Sequence, residues 1–143
     1  MLKPRLLLTT VLFLSQPLFA QSDTFTIKGV IKFKGSGTIR LSLINESQFN
    51  QTTRFVDKFK KKPTKEEIAN GQCTFTFKNI PQGVYGINGY QEFNENGKLD
   101  MGLFGPKEPW GMSFIKKRPF GPPKFKQMCF LLENDTLITI VFK

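Results

Sequence analysis

Apolar and polar residues alternate with a period of two in several short segments of this chain. Residues 24–34 place most of their apolar side chains on odd-numbered positions, and residues 39–43 continue the alternation after a Gly-Ser-Gly turn. This period is typical of strands that bury one face and expose the other. We therefore expect two strands here, joined as a hairpin.

The same alternation predicts four further strands. They cover residues 73–78, 84–90, 125–132 and 136–142. The first two follow each other across a Pro-Gln-Gly turn and are expected to form a second hairpin. The last two are expected to be joined by a turn at residues 133–135.

Two segments between the predicted strands break the alternation. Within residues 45–71, Thr64 and Glu67 have the spacing of a capping box, which predicts one short helical turn before Gly71. Residues 91–123 are rich in glycine and proline, which predicts a long irregular loop. Short strands with almost no helix predict an all-β fold. We expect a single antiparallel β-sandwich of about seven strands that carries one long loop.

The first twenty residues have the features of a secretory signal peptide. Two basic residues precede an apolar run over residues 6–14, and Ala20 supplies a small side chain for cleavage. The run is about half as long as the roughly 20 residues that a spanning helix needs, which favours cleavage over a membrane anchor. We therefore expect residues 1–20 to be removed. Residues 21–143 are expected to form one periplasmic or secreted domain without a transmembrane segment.

The chain is strongly basic, with 21 Lys and Arg against 11 Asp and Glu and a net charge of +10. Two groups of basic residues are candidates for binding an anionic envelope polymer, such as a polysaccharide or lipopolysaccharide. They consist of Lys58, Lys60, Lys61, Lys62, Lys116, Lys117 and Arg118. The alternative is a set of solubilising surface lysines. We expect a monomer with no nucleic-acid partner.

Residues 92–100 have the pattern of an oxygen-lined calcium loop. Side-chain oxygens recur at alternate positions, and Gly97 permits a sharp bend between them. The candidate metal ligands are Glu92, Asn94, Asn96, Lys98 through its backbone carbonyl, Asp100 and Glu108. Leu103 stands where a calcium loop usually closes its ligand shell with a glutamate. The alternative is an Asn-Gly turn with solvated carboxylates. Calcium is the one cofactor that we expect.

Histidine is absent from the chain, which excludes histidine-based catalytic pairs and histidine zinc sites. We therefore expect no catalytic activity. The alternative is a carboxylate hydrolase built on Glu92 with Asp100 or Glu108. Tyr90 and Trp110 lie close to the loop in sequence, where they would either stack on a sugar or cap the core.

The two cysteines, Cys73 and Cys129, lie in apolar strand-like runs of a chain that we expect to be exported. A disulfide between them can persist outside the cytosol. Two buried free thiols are equally compatible with the sequence.

Four short motifs occur in a fixed order along the chain. They are Ile-Pro-Gln-Gly-Val-Tyr at 80–85, Glu-Phe-Asn-Glu-Asn-Gly-Lys-Leu-Asp at 92–100, Gly-Pro-Lys-Glu at 105–108 and Pro-Phe-Gly-Pro-Pro-Lys-Phe at 119–125. In this combination, over residues 24–143, the chain resembles the exported bacterial family called domain of unknown function 2141. The resemblance implies a small periplasmic or secreted sandwich of the transthyretin-like (prealbumin-like) Greek-key type, with no established activity.

The chain departs from that family's pattern near the loop. Gln91 and Glu92 stand where family members usually have His and Asp, and Ser113 is followed by Phe-Ile where they commonly have two asparagines. Lys126 and Gln127 stand where family members tend to be acidic. These changes remove oxygen and acidic groups, which weakens an inherited cation site.

The function expected from these features is that of an exported, non-catalytic β-sandwich of the binding or accessory class. Its long loop is expected to be ordered by a calcium ion. The alternative is a basic, envelope-associated protein that binds an anionic polysaccharide or lipopolysaccharide.

Overall fold

The computed structural model describes residues 23–51, 53–115 and 121–143. The predicted signal peptide lies outside these residues, and so do three of the candidate anion-binding residues, Lys116, Lys117 and Arg118. Within the described residues, no helix is long and apolar enough to cross a membrane.

Ten strand segments and one short α-helix make up the regular structure of the described chain. In order they are β1 (Thr24–Lys32), β2 (Thr38–Ile44), β3 (Asp57–Lys61), α1 (Lys65–Asn70), β4 (Gln72–Pro81), β5 (Gly83–Glu92), β6 (Met101–Gly102), β7 (Gly105–Pro106), β8 (Trp110–Met112), β9 (Phe130–Leu132) and β10 (Thr136–Val141). Strands β10, β1 and β4 form one sheet in that order. Strands β3, β2, β5 and β8 form the other, and β9 also pairs with β5. The short strands β6 and β7 pair only with each other.

One hydrophobic cluster contains side chains from both sheets, so the sheets pack face to face. Its members are Ile27, Ile31, Phe33, Ile39, Leu41, Leu43, Cys73, Phe75, Phe77, Ile80, Tyr85, Ile87, Leu132, Ile138, Ile140 and Phe142. Phe59 of β3 meets Phe75 of β4 edge-on across the interface, with ring centroids 6.2 Å apart. Full burial of one such side chain stabilises the fold by about 1.5–3 kcal/mol. The all-β, sandwich-like fold predicted from the alternation is confirmed.

Strand β1 is the central strand of the three-stranded sheet. It pairs antiparallel with β4 and parallel with β10, where Ile31 lies opposite Ile140. This pair is therefore an exception within the predicted antiparallel sandwich. Strand β10 enters the sheet after β9, which belongs to the opposite sheet, so no hairpin turn dictates its direction.

The predicted hairpins are wrong in their pairing. Strands β1 and β2 lie in different sheets, and so do β4 and β5. The turn after β9 likewise leads from one sheet to the other. The alternation of apolar residues specifies which face of a strand is buried, but two consecutive strands satisfy it equally well by facing each other across the core.

Three parts of the chain differ in type from the prediction. The loop predicted to be irregular over residues 91–123 contains the short strands β6, β7 and β8. Residues 125–132 are a strand only over β9, because Phe125–Gln127 forms a 3-10 turn that buries Phe125 in a second, smaller apolar cluster. Strand β3 was not predicted, because four of its five residues are charged. It is an edge strand, where charged side chains are tolerated and protect the sheet from pairing with other chains.

The capping-box prediction is confirmed by α1. The Thr64 hydroxyl accepts a hydrogen bond from the Glu67 amide at 3.2 Å, and the Glu67 carboxylate accepts one from the Thr64 amide at 2.9 Å. Gly71 ends the helix in the left-handed conformation at a φ of 66°. Lys61 donates to the Glu67 carboxylate, and this hydrogen bond is the main cause that lowers the pKa of Glu67.

Both cysteines are free thiols in the structure, so the disulfide left open by the sequence is not formed. Cys73 belongs to the main hydrophobic cluster, whereas Cys129 packs against the smaller one. Burial raises the pKa of Cys73 to about 11, so its thiol stays protonated and unreactive at neutral pH.

The packing around Gly29 generates a prediction for stability. A Cβ atom at this central position of β1 would lie 2.1 Å from the Ile138 carbonyl oxygen and 2.5 Å from the Phe75 ring. We expect Gly29→Ala to lower the free energy of unfolding by about 2 kcal/mol or more. The added methyl group would clash with the β10 backbone and with a core phenylalanine, and neither can move away without disturbing the packing. Urea unfolding at equilibrium measures this change.

Gly102→Ala is the matched control. Its Cβ would lie 3.3 Å from the flexible Lys107 side chain, so the free energy of unfolding should change by less than about 0.5 kcal/mol. Equal stability of the two variants would contradict the close packing of β1 against β10.

Candidate functional site

The long loop leaves the sheet at the end of β5, where the Glu92 side chain is fully buried. One carboxylate oxygen of Glu92 accepts a hydrogen bond from the Arg40 guanidinium, and the other accepts one from the backbone amide of Gly97. Arg40 lies on the neighbouring strand β2, opposite Tyr90. Glu92 therefore holds the first turn of the loop against the end of the sheet, and Arg40 of β2 fixes Glu92 in place.

The pKa of Glu92 reflects opposing effects. Burial alone would raise it, but the hydrogen bonds from Arg40 and from the Gly97 amide outweigh burial, and the positive charges of Arg40 and Lys60 act in the same direction. The pKa therefore lies below the ordinary value of a glutamate. Glu92 is a carboxylate at neutral pH.

Glu108 anchors the far part of the loop in a similar way. Its side chain is buried, and its two oxygens accept hydrogen bonds from the backbone amides of Phe93 at 3.1 Å and Asp100 at 3.2 Å. From the sequence, Glu108 was only a candidate metal ligand that lies beyond the predicted calcium loop. Its bridging role could not be found there, because the amides that it binds are 15 and 8 positions away.

The predicted metal ligands fall into two groups. Asn94, Asn96 and Asp100 come together, since the two asparagine amides donate to the two Asp100 oxygens at 2.6 and 2.9 Å. Glu92 and Glu108 instead bind Arg40 or backbone amides. The Lys98 amide donates to the Asn96 side-chain oxygen at 2.8 Å. Across residues 23–51, 53–115 and 121–143, no three His, Cys, Asp or Glu side chains are grouped as a metal site.

A positively charged depression, which we call the basic cleft, lies beside the buried ion pair. It has a volume of about 350 Å³ and is lined by Thr38, Arg40, Lys60, Lys61, Lys62, Glu92 and Glu95. Arg40, Lys60 and Lys62 thus lie beside two carboxylates, one of which is buried against Arg40, whereas the Lys61 ammonium is bound to Glu67. The Lys62 ammonium lies 3.4 Å from Glu95, and both of these side chains are exposed. Such an exposed pair is weak, so Lys62 can leave Glu95 and bind another anion.

The basic cleft unites part of the predicted anion-binding set. Lys60, Lys61 and Lys62 line it, whereas the ammonium of Lys58 lies 4.0 Å over the Phe55 ring, beside a separate depression. Arg40 was missed by the sequence interpretation. Its position on the outer face of β2 was predictable, but only the strand register places it directly opposite Lys60.

Tyr90 and Trp110 lie on the outer face of the same sheet. The register aligns Lys60, Arg40, Tyr90 and Trp110 across four neighbouring strands. Both aromatic side chains are half-buried. Sugar stacking and capping of the core therefore both stay predictions for these two residues.

Comparisons with known proteins place the chain in one family. The model of the family described as "Uncharacterized protein conserved in bacteria (DUF2141)" matches residues 26–139, which include most of both sheets, the basic cleft and the long loop. No curated protein and no solved structure matches the chain. The transthyretin-like topology implied by the family resemblance therefore stays a prediction.

The buried ion pair generates a prediction for the pH dependence of stability. We expect Glu92→Gln to lower the free energy of unfolding at pH 7 by about 2–3 kcal/mol, because Arg40 loses its partner in a partly buried position. The stabilisation from a lowered pKa is fully present above the ordinary glutamate pKa of about 4.3 and is lost as the pH falls through the folded-state value. The difference between wild type and variant should therefore shrink towards pH 3.

Urea unfolding at pH 7 and pH 3 measures the effect. Glu95→Gln is the control, since Glu95 is exposed and forms only the weak pair with Lys62, and it should change stability little at either pH. A Glu92→Gln variant as stable as wild type at pH 7 would contradict the role assigned to this pair.

Proposed function

The chain belongs to the DUF2141 family, and on that premise we propose that it is an exported, non-catalytic module that binds an anionic envelope polymer in the basic cleft. The observation that carries the proposal is that Arg40, Lys60, Lys61 and Lys62 line one depression. Arg40 and Lys61 are paired there with Glu92 and Glu67, so Lys60 and the weakly paired Lys62 are the cations that would meet the polymer. Its volume of about 350 Å³ falls within the range of small-ligand sites, roughly 300–1,000 Å³. The cleft would hold one charged segment of a longer chain.

The position of the basic cleft suits an extended ligand. Strand β3 is the edge of its sheet, and the side chains of Lys58 and Lys60 point outward from it. Because these residues are two positions apart, their side chains project from the same face at a spacing of about 6.6 Å. A polyanion lying along this edge would meet Lys58 after leaving the cleft. Monomeric protein is sufficient for this mode of binding.

The environment of the buried carboxylates supports a binding role over catalysis. A carboxylate hydrolase needs one acid whose pKa is raised, so that it can donate a proton near neutral pH. Arg40 and the Gly97 amide shift the pKa of Glu92 in the opposite direction. Both oxygens of Glu108 accept hydrogen bonds from backbone amides. These contacts favour structural roles for the two residues.

Polymer binding is tested with immobilised heparin as a model polyanion. We expect the wild-type chain to bind at low salt, with an affinity that falls as salt rises. The double variant Lys60→Gln/Lys62→Gln should bind more weakly, and the slope of log affinity against log salt should fall by about 1 for each lysine removed. Elution in a salt gradient and titration at several salt concentrations measure both quantities.

The double variant Lys28→Gln/Lys32→Gln is the matched control. It removes the same charge from two exposed positions of β1, in the opposite sheet. If both double variants lose the same amount of heparin affinity, the binding depends on overall charge and not on the basic cleft. Absence of heparin binding by the wild type would refute the proposal.

A second candidate function is calcium binding by the long loop. It is favoured by the meeting of Asn94, Asn96 and Asp100, whose side chains carry the oxygen ligands that calcium prefers. The ion would have to replace the asparagine-to-aspartate hydrogen bonds. A dissociation constant in the range of extracellular modules, about 0.1–1 mM, is therefore expected.

Thermal unfolding in calcium and in chelator tests this candidate. Calcium at about ten times its dissociation constant should stabilise the fold by about 1.4 kcal/mol and raise the melting temperature by several degrees. Asp100→Asn should abolish the rise, and magnesium should not reproduce it. An identical melting temperature in calcium and chelator would exclude a site in this range.

A further inference from the structure

The hairpin of β6 and β7 projects from the middle of the long loop and carries two apolar side chains at its turn. Leu103 and Phe104 are 98% and 103% exposed, and Met101 beside them is 63% exposed. We call these three residues the apolar tip. Gly105 follows at a φ of 116°, a conformation that favours glycine and closes the turn. Within the described chain, no other segment covers the apolar tip.

The apolar tip contributes little to the stability of the described fold, since its two outermost side chains stay in water. Single exposed apolar residues are common, but adjacent ones at the end of a projecting hairpin indicate a surface that is covered by a partner. The tip is small. Leu103 and Phe104 together offer an area of roughly 400 Å², about half of the 800 Å² that each side of a stable protein interface buries.

Two exposed lysines lie beside the apolar tip. Lys98 and Lys107 flank the hairpin and are exposed, and the aliphatic part of Lys107 lies along Gly102. Asp100, which precedes Met101 in the sequence, is bound by two asparagine amides, and Glu95 of the same loop pairs with Lys62 of the basic cleft. The loop that carries the tip begins at Glu92, which also lines the basic cleft, so the lysines of the cleft belong to the same end of the sheet.

From this arrangement we propose that the apolar tip inserts into the surface of a bilayer that contains anionic lipids. Leu103 and Phe104 would enter the boundary between headgroups and acyl chains, while Lys98 and Lys107 would meet the lipid phosphates. A bilayer accepts a small convex apolar tip because it closes around each inserted side chain, and cations beside the tip add attraction to anionic lipid. This surface acts independently of polymer binding in the basic cleft.

Vesicle binding tests the proposal directly. The wild-type chain is expected to sediment with vesicles of phosphatidylglycerol and phosphatidylcholine, and to bind vesicles of phosphatidylcholine alone at least tenfold more weakly. Leu103→Ser/Phe104→Ser should bind the mixed vesicles at least tenfold more weakly than wild type. Its melting temperature should be unchanged. In a Phe104→Trp variant, the fluorescence emission should shift to shorter wavelength when mixed vesicles are added.

Leu131→Ser/Leu137→Ser is the matched control, because these leucines are 56% and 81% exposed on β9 and β10 and lie outside the hairpin. It should bind vesicles like wild type. Lys60→Gln/Lys62→Gln should bind heparin more weakly and keep the tip-dependent part of vesicle binding, which separates this proposal from the proposed function.

Several results would overturn the proposal. Equal vesicle binding by wild type and the Leu103→Ser/Phe104→Ser variant would exclude insertion of the tip, and so would the absence of vesicle binding by the wild type. Equal affinity for neutral and anionic vesicles would exclude recognition of anionic lipid. A wild-type dimer in light scattering that the same variant dissociates would identify a second copy of the chain as the occupant.

Discussion

The carboxylate of Glu92 is buried, ionised and bonded to two separate parts of the chain. Removing such a charge from water is costly unless each oxygen has a donor, and here Arg40 and the Gly97 amide supply the donors. The guanidinium comes from the neighbouring strand, whereas the amide comes from the loop. Because Glu92 needs both donors, its hydrogen bonds hold the first turn of the loop against the sheet.

The same ion pair links the two surfaces for which binding functions are proposed. Arg40 and Glu92 form part of the wall of the basic cleft, and the loop that Glu92 starts carries the apolar tip. Glu108 fastens the loop a second time, through the amides of Phe93 and Asp100. The hairpin between these two anchors is left to project from the sandwich. Polymer and lipid binding would thus use adjacent parts of one end of the molecule.

The predictability of the fold differed from one feature to another. The helix α1 was predicted correctly because its cap depends on Thr64 and Glu67, which are only three positions apart. Most strands were located for a similar reason, since alternation is a local pattern. Strand β3 was missed because its single apolar residue, Phe59, forms no pattern by itself. For the site, Lys60 to Lys62 and the group of Asn94, Asn96 and Asp100 were recognised as neighbours in sequence.

The sequence by itself determined which segments extend, which faces they bury, where the short helix starts and where charge accumulates. Only the tertiary structure decided which strands pair, because the same alternation is satisfied by a neighbour in one sheet or by a facing strand in the other. It also decided that Arg40 meets both Lys60 and Glu92, which lie 20 and 52 positions away. Contacts between residues so distant depend on strand register, and register results from packing the whole core at once.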